Sequence, residues 1–339
     1  MYLSHMHNFR GVAICGIIGA HTLHNFVWEP DSILFSFFDT LFNQSSIWFF
    51  FIAGFLFQYL SPKYETVKYY RTKLKNVVLP YLIMSVPALY FFTQISIQNS
   101  VPGSFYELGL WQQISLLLLT GKHLAPFWFV PTISIIYLTA PVLLMLDRTK
   151  LGYWMLLPVL LVLSAWLGRD GLSEVTGWSP YLSPFSKAFY LLSVYMFGMF
   201  CGRHHNRLLE IMPRLHIPVV TVAVGCFIAN MIMPETYYMF GFKIATCLLL
   251  VYYLFLLDEP IGRKLVFLGS ISFGLFFVHG YIVGGTKIVS QYLTGQSDFG
   301  AGALLPYLGF TAFVIGLCTI LLWAAMKVFG KKSRMIVGC

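Results

Sequence analysis

Apolar residues run through this chain in long blocks, interrupted by short polar and basic segments. A helix needs about 20 mostly apolar residues to cross a hydrocarbon core of about 30 Å. Ten stretches approach or meet that length: 9–28, 34–60, 76–96, 126–146, 151–167, 184–202, 217–233, 239–257, 265–285 and 303–326. The second is long enough to tilt or to extend beyond the membrane. The shorter run 107–119 reads as a helix lying at the interface. The pattern predicts an all-α, polytopic membrane bundle of about ten transmembrane helices, forming one domain over 1–339.

Composition narrows the field in the same direction. Of 339 residues, 58% are hydrophobic and only 10% charged, against about 25% charged in a soluble domain. So few charges cannot coat a water-facing surface, which excludes a cytosolic enzyme, a nucleic-acid-binding module and a disordered chain. The net charge of +9 raises nucleic acid as a partner, but its distribution answers that question. With the N-terminus inside, 17 of the 22 Lys and Arg fall on the inner side. The outer side keeps Lys122, Arg169, Lys187, Lys243 and Lys287. This positive-inside bias predicts an even number of spans with both termini cytoplasmic, and no nucleic acid is needed to explain the charge. No cleavable signal peptide is apparent, because the first apolar stretch is long and carries His21 and His24. The six cysteines form no C-x-x-C pair and avoid the outer loops, so neither a disulfide framework nor a zinc site is expected.

Ionisable groups inside a membrane mark candidate sites. Arg10 and His21 lie eleven residues apart in the first span. Eleven steps of about 100° return to within about 20° of the starting direction, so both share one helix face, about 16 Å apart along the axis. Gly11, Gly16 and Gly19 lie between them and permit close approach by a neighbouring helix or a ligand. Taken alone, Arg10 also suits an inner anchor and His21 a packing hydrogen bond, and a single face shared by both favours a joint role. His24, one turn beyond His21, has an ordinary interfacial position. A histidine near neutral pH can take and return a proton. No G-x-S-x-G elbow, H-E-x-x-H pair or G-x-x-x-x-G-K-[ST] loop is present, which argues against a serine hydrolase, a zinc peptidase and an ATP-driven pump.

These residues resemble a known family. Arg10 and His21 look like the Arg-x10-His motif of the acyltransferase family 3 membrane proteins. Trp48 to Phe55 resembles the family's F-F-x-x-S-G-F segment, with Ala53 in place of Ser. Tyr70 to Lys75 followed by Leu79-Pro80-Tyr81 is similar to its basic stretch before a Pro-Tyr, with Asn76 at one candidate basic position. Phe127-Trp128-Phe129-Val130 looks like its W-F-L segment. Ser270 to His279 resembles its S-x-x-[ST]-x-G-x-Y-x-x-H segment, with Phe for Tyr. The resemblance covers about residues 8–285 and implies a ten-helix core.

The resemblance implies acyl transfer, most often acetyl, from cytoplasmic acyl-CoA to a hydroxyl of a carbohydrate, surface polysaccharide or lipid-linked glycan, in a bacterial inner membrane. It implies catalytic roles for His21 and Arg10. The basic inner segment suits the phosphates of the donor, with Arg71, Lys73 and Lys75 as binding candidates. Trp128, Ser272 and His279 are further candidates, the first two as oxyanion donors and the last as a second proton carrier. Acyl-CoA is expected as a substrate, with no tightly bound cofactor and no metal. A transporter or flippase of a polar or glycolipid substrate, without transfer chemistry, is the competing reading of ten spans with intramembrane Arg and His. A sensor or structural subunit that keeps the fold without activity is a third.

Overall fold

The computed structural model describes residues 3–95, 101–149 and 152–339, with side chains throughout except at 259–264. Ser96, Lys150 and Leu151, at the predicted boundaries of the third and fifth spans, lie outside the described residues, as do the side chains of Arg263 and Lys264. Sixteen α-helices follow one another among the described residues. The first eight are α1 Ser4–Leu23, α2 Ile33–Phe42, α3 Ser46–Leu60, α4 Thr66–Lys73, α5 Leu79–Tyr90, α6 Leu110–Thr120, α7 Phe129–Leu138 and α8 Ala140–Asp147. Then come α9 Leu157–Leu167, α10 Gly171–Thr176, α11 Ser183–Arg203, α12 His205–Ile232, α13 Thr236–Leu256, α14 Asp258–Thr294, α15 Leu304–Phe329 and α16 Ser333–Ile336. The only β-type pairing among the described residues is an isolated bridge between Val27 and Ala301.

Helix is what lipid demands, since it satisfies every backbone group within the segment. Among the described residues seven helical stretches are long and apolar enough to cross a membrane, or nine if two bent pairs are each one span. The predicted ten is therefore not reached by length and composition. α1 falls outside these seven: Ser4, His5, His7, Asn8, Arg10, His21 and Thr22 dilute its apolar character. The predicted fourth span, 126–146, divides between α7 and α8. α6 and the segment ending in α7 make one bent pair, at 72°, and α8 and α9 contribute to the other. The predicted second span is interrupted too. α2 stops at Phe42 and α3 starts at Ser46, with Gln44 at φ 55°, the only non-glycine left-handed residue among those described.

Two helix pairs form the centre. α3 packs on α11 and α1 packs on α14. In the first pair, a Cβ at Gly54 would stand 1.9 Å from the Tyr195 carbonyl oxygen, and one at Gly198 2.1 Å from that of Phe51. In the second, a Cβ at Gly269 would stand 1.9 Å from the His7 carbonyl oxygen. Backbones this close tolerate only hydrogen at those positions, and in lipid such contact is a main source of helix association. The three glycines between Arg10 and His21 each serve it: Gly11 faces Leu265, Gly16 faces Ser45 and Trp48, and Gly19 faces the Phe42 ring. α12 and α15 lie outside this centre and expose large apolar side chains, among them Ile217, Ile228 and Ile232, and Leu305, Ile320 and Val328. Such a surface suits acyl chains and not water.

Candidate active site

The last turn of α1 carries His21 to the wall of a cavity of about 140 Å³. Around it stand Ile17, His24, the α2–α3 corner from Phe42 to Ser46, Pro126, Trp128, Phe129, Arg169 and Phe276. His279, fully buried on α14, backs His21, with ring centroids 5.2 Å apart. The His279 Nδ1 lies 2.9 Å from the Leu275 carbonyl oxygen. A carbonyl accepts only, so Nδ1 carries the proton and Nε2 keeps its lone pair. That Nε2 is buried with no hydrogen-bond partner among the described residues. A cavity-lining imidazole thus stands beside an imidazole with a lone pair to offer.

The polar wall comes from the α2–α3 corner. Left-handed backbone at a glutamine costs energy and persists where surrounding contacts over-determine it. Here the Tyr190 hydroxyl donates to Gln44 Oε1 at 2.7 Å, and the Gln44 backbone N–H donates to Asn43 Oδ1 at 2.8 Å. Lys243 reaches the same corner, its ammonium donating to the Leu41 carbonyl at 2.7 Å above the Trp48 ring. The charge pattern groups Lys243 with the outer cations; the structure buries it completely inside the bundle. With Oε1 held by Tyr190, the Gln44 amide nitrogen is the end left for the cavity.

Trp128 closes another side. Gly121, at φ 69°, ends α6 and lets the chain double back, since a Cβ there would stand 2.4 Å from the Trp128 backbone nitrogen. The Arg169 guanidinium lies 5.6 Å and the Lys187 ammonium 5.7 Å from the Trp128 ring centroid. Asp170 bridges these cations, 3.3 Å from Arg169 and 3.1 Å from Lys187. Burial pushes the Asp170 carboxyl up, but Lys187 and Arg169 outweigh it and hold the group below the usual carboxylate range. A depressed folded value means stability that is complete above about pH 3.9, the unfolded value, and is lost as pH falls through the folded one. Asp170→Asn is therefore expected to lower the melting temperature by about 1 °C at pH 7. The difference should hold above about pH 3.9 and shrink as the pH falls below it, as a paired thermal scan would show.

The structure brings together His21, His279 and Trp128 of the residues expected from sequence. Ser272 is elsewhere: it is buried two turns along α14 from His279, with its hydroxyl donating to the Gly269 carbonyl at 2.8 Å. Arg10 is on the same unbroken helix as His21, eleven residues away, and does not line the cavity. Arg71 and Lys75 are exposed. The Lys73 ammonium sits 3.9 Å above the Tyr137 ring, nine residues along the chain from Trp128 and so at the other end of α7. Sequence reading missed Asn43, Gln44, Ser45, Ser46 and Arg169 as site residues. The one usable signal was Arg169's place among just five cations expected outside.

A family model described as "Acyltransferase domain" matches residues 5–324. No curated protein and no solved structure matches the chain. The matched region contains every residue of the cavity and both bent helix pairs.

Proposed function

The chain belongs to the membrane acyltransferase family 3, and from that premise we propose that it moves an acyl group, most often acetyl, from cytoplasmic acyl-CoA to a hydroxyl of a carbohydrate, surface polysaccharide or lipid-linked glycan. The observation that carries this reading is the accessible His21 imidazole backed by the buried, half-satisfied His279. His21 removes the proton of the acceptor hydroxyl as its oxygen attacks the thioester carbonyl. The tetrahedral oxyanion takes hydrogen bonds from the cavity wall, with the Gln44 amide and the Trp128 indole N–H as donors. Collapse expels the coenzyme A thiolate, which receives the proton from His21. The His279 Nε2 lone pair favours the imidazolium while it lasts. A cavity of this size favours a short acyl group.

Donor phosphates are assigned to the other end of the bundle. Arg10, one helix length from His21, acts there with Arg71, Lys73 and Lys75. The residues at that end bind the donor and do no chemistry, so kinetics separate the two ends. Arg10→Ala is expected to raise KM for acetyl-CoA about 10-fold or more, with a smaller change in kcat. The assay is release of free coenzyme A by membranes containing the protein and a glycan extract. No acyl-CoA-dependent release by the wild-type protein would refute the reading.

A further inference from the structure

Resting on that reading, we propose that the acceptor carries an anionic group, phosphate or carboxylate, bound by Arg169, Lys187 and Lys122 at the rim of the His21 cavity. The chain is poor in charge, and only five cations are expected on the side facing the acceptor. One of them, Lys243, is buried and committed to a backbone carbonyl. The others are not scattered. Arg169 lines the cavity with His21, and Lys187 shares with it both the Trp128 ring and Asp170. Lys122 follows Gly121 in the turn that positions Trp128. Burial, then the charge of Lys187, depress the Lys122 ammonium, while Asp170 pulls it back. Lys287 is held apart from this group, its ammonium donating to the carbonyl of the cavity-lining His24 at 3.1 Å.

Among the described residues Asp170 is the one carboxylate ion-paired with Arg169 and Lys187, while Asp39 stands by His24, so the cluster of three cations keeps an excess of positive charge. That excess is costly in a partly buried place and is relieved by an anion. The bond from Arg169 to Asp170 uses Nε, and the terminal guanidinium nitrogens, which make no hydrogen bond among the described residues, are the fork that grips oxyanions. The Trp128 indole beside the cations lines the cavity and adds an aromatic surface next to them. The geometry fits a sugar on Trp128 with its anionic substituent on the cations and a hydroxyl turned to His21.

The test begins with the product. Membranes containing the protein receive acetyl-CoA labelled in the acetyl group and a total glycan and glycolipid extract, and labelled product is applied to an anion exchanger. The expected product is retained and elutes with salt, and phosphatase treatment tells phosphate from carboxylate. A labelled product that flows through uncharged overturns the proposal and leaves acyl transfer standing. No labelled product at all overturns the transfer reading itself. With the acceptor in hand, Arg169→Gln combined with Lys187→Gln is expected to raise its KM about 10- to 100-fold. The charge-preserving pair Arg169→Lys with Lys187→Arg should recover most of that loss, which a merely misfolded variant would not. The measurement is repeated in phosphatidylcholine liposomes with and without phosphatidylglycerol. A KM rise that persists without anionic lipid supports the proposal. A rise confined to anionic liposomes assigns the cations to lipid headgroups and overturns it.

Discussion

His21→Ala is expected to lower acyl transfer by about 1,000-fold while the protein still inserts and purifies as a folded, monodisperse species. General-base catalysis is worth about 10²–10⁴-fold, and of the two imidazoles on the cavity wall, His21 and His24, His21 is the one backed by His279. Alanine removes the base and adds only space, because the ring borders a cavity already present, so little packing is lost. His279→Ala should fall between His21→Ala and wild type. In the proposed reaction it acts through His21 and touches no substrate atom, so its effect resembles the loss of an outer partner behind a catalytic group. Equal activity of His21→Ala and wild type at matched protein levels would remove His21 from the chemistry.

Gly54→Ala and Gly269→Ala are expected to abolish folding where His21→Ala does not. A single methyl at either place would overlap a backbone carbonyl oxygen at 1.9 Å. No rotamer change relieves a clash with backbone, so the helices must part along their whole contact. Overpacking costs about 1–3 kcal/mol where side chains can move, and here the cost lies at or above the top of that range, a large share of a total stability of about 5–15 kcal/mol. Gly284→Ala is the control. It is on the same α14 helix, and a Cβ there meets nothing within 4 Å. Detergent-extracted protein should show a full melting transition for Gly284→Ala and none, or one lowered by many degrees, for the other two. Normal melting of Gly54→Ala would mean that the α3–α11 pair is looser than described.

The contrast between these variants also shows what a sequence of this kind carries. Periodicity within one helix was enough to put Arg10, His21 and the three intervening glycines on a common path, and α1 is indeed continuous from Ser4 to Leu23. Apolar length was enough to find most of the helices. It failed where a break is too short to divide the apolar block around it. Asn43 to Ser46 is polar but only four residues long between strongly apolar flanks, and a left-handed Gln44 held by Tyr190 turns the chain there. The 126–146 stretch reads as one span because Thr139 and Pro141 interrupt the helix without interrupting the apolar run. Arg169 was beyond sequence for another reason. Its place beside Trp128 and Lys187 depends on three separate segments meeting in space, and no spacing along the chain encodes that. Ser272 erred in the opposite way: its position in a family-like segment suggested an oxyanion donor, and its hydroxyl is spent on its own helix.

The family match supports acyl transfer over transport, and the His21 cavity is the proposed place for it. The α1 helix joins the two ends of the proposed reaction, with Arg10 toward the donor and His21 at the acceptor. The cations expected outside then acquire a use that the positive-inside pattern alone does not give them. If the rim selects an anionic acceptor, the shortage of outer charge itself sharpens selection, because few competing sites for an anion exist on that face.

The most direct measurement follows acetyl label in reconstituted vesicles. Wild-type protein and His21→Ala are compared at equal amount, with labelled acetyl-CoA and a glycan and glycolipid extract, and label is counted in the glycan fraction. Wild type is expected to leave an ester-linked label, an added mass of about 42 for acetyl by simple formula, and His21→Ala about 1,000-fold less. Equal label from both proteins, or none from either, would contradict the proposed reaction.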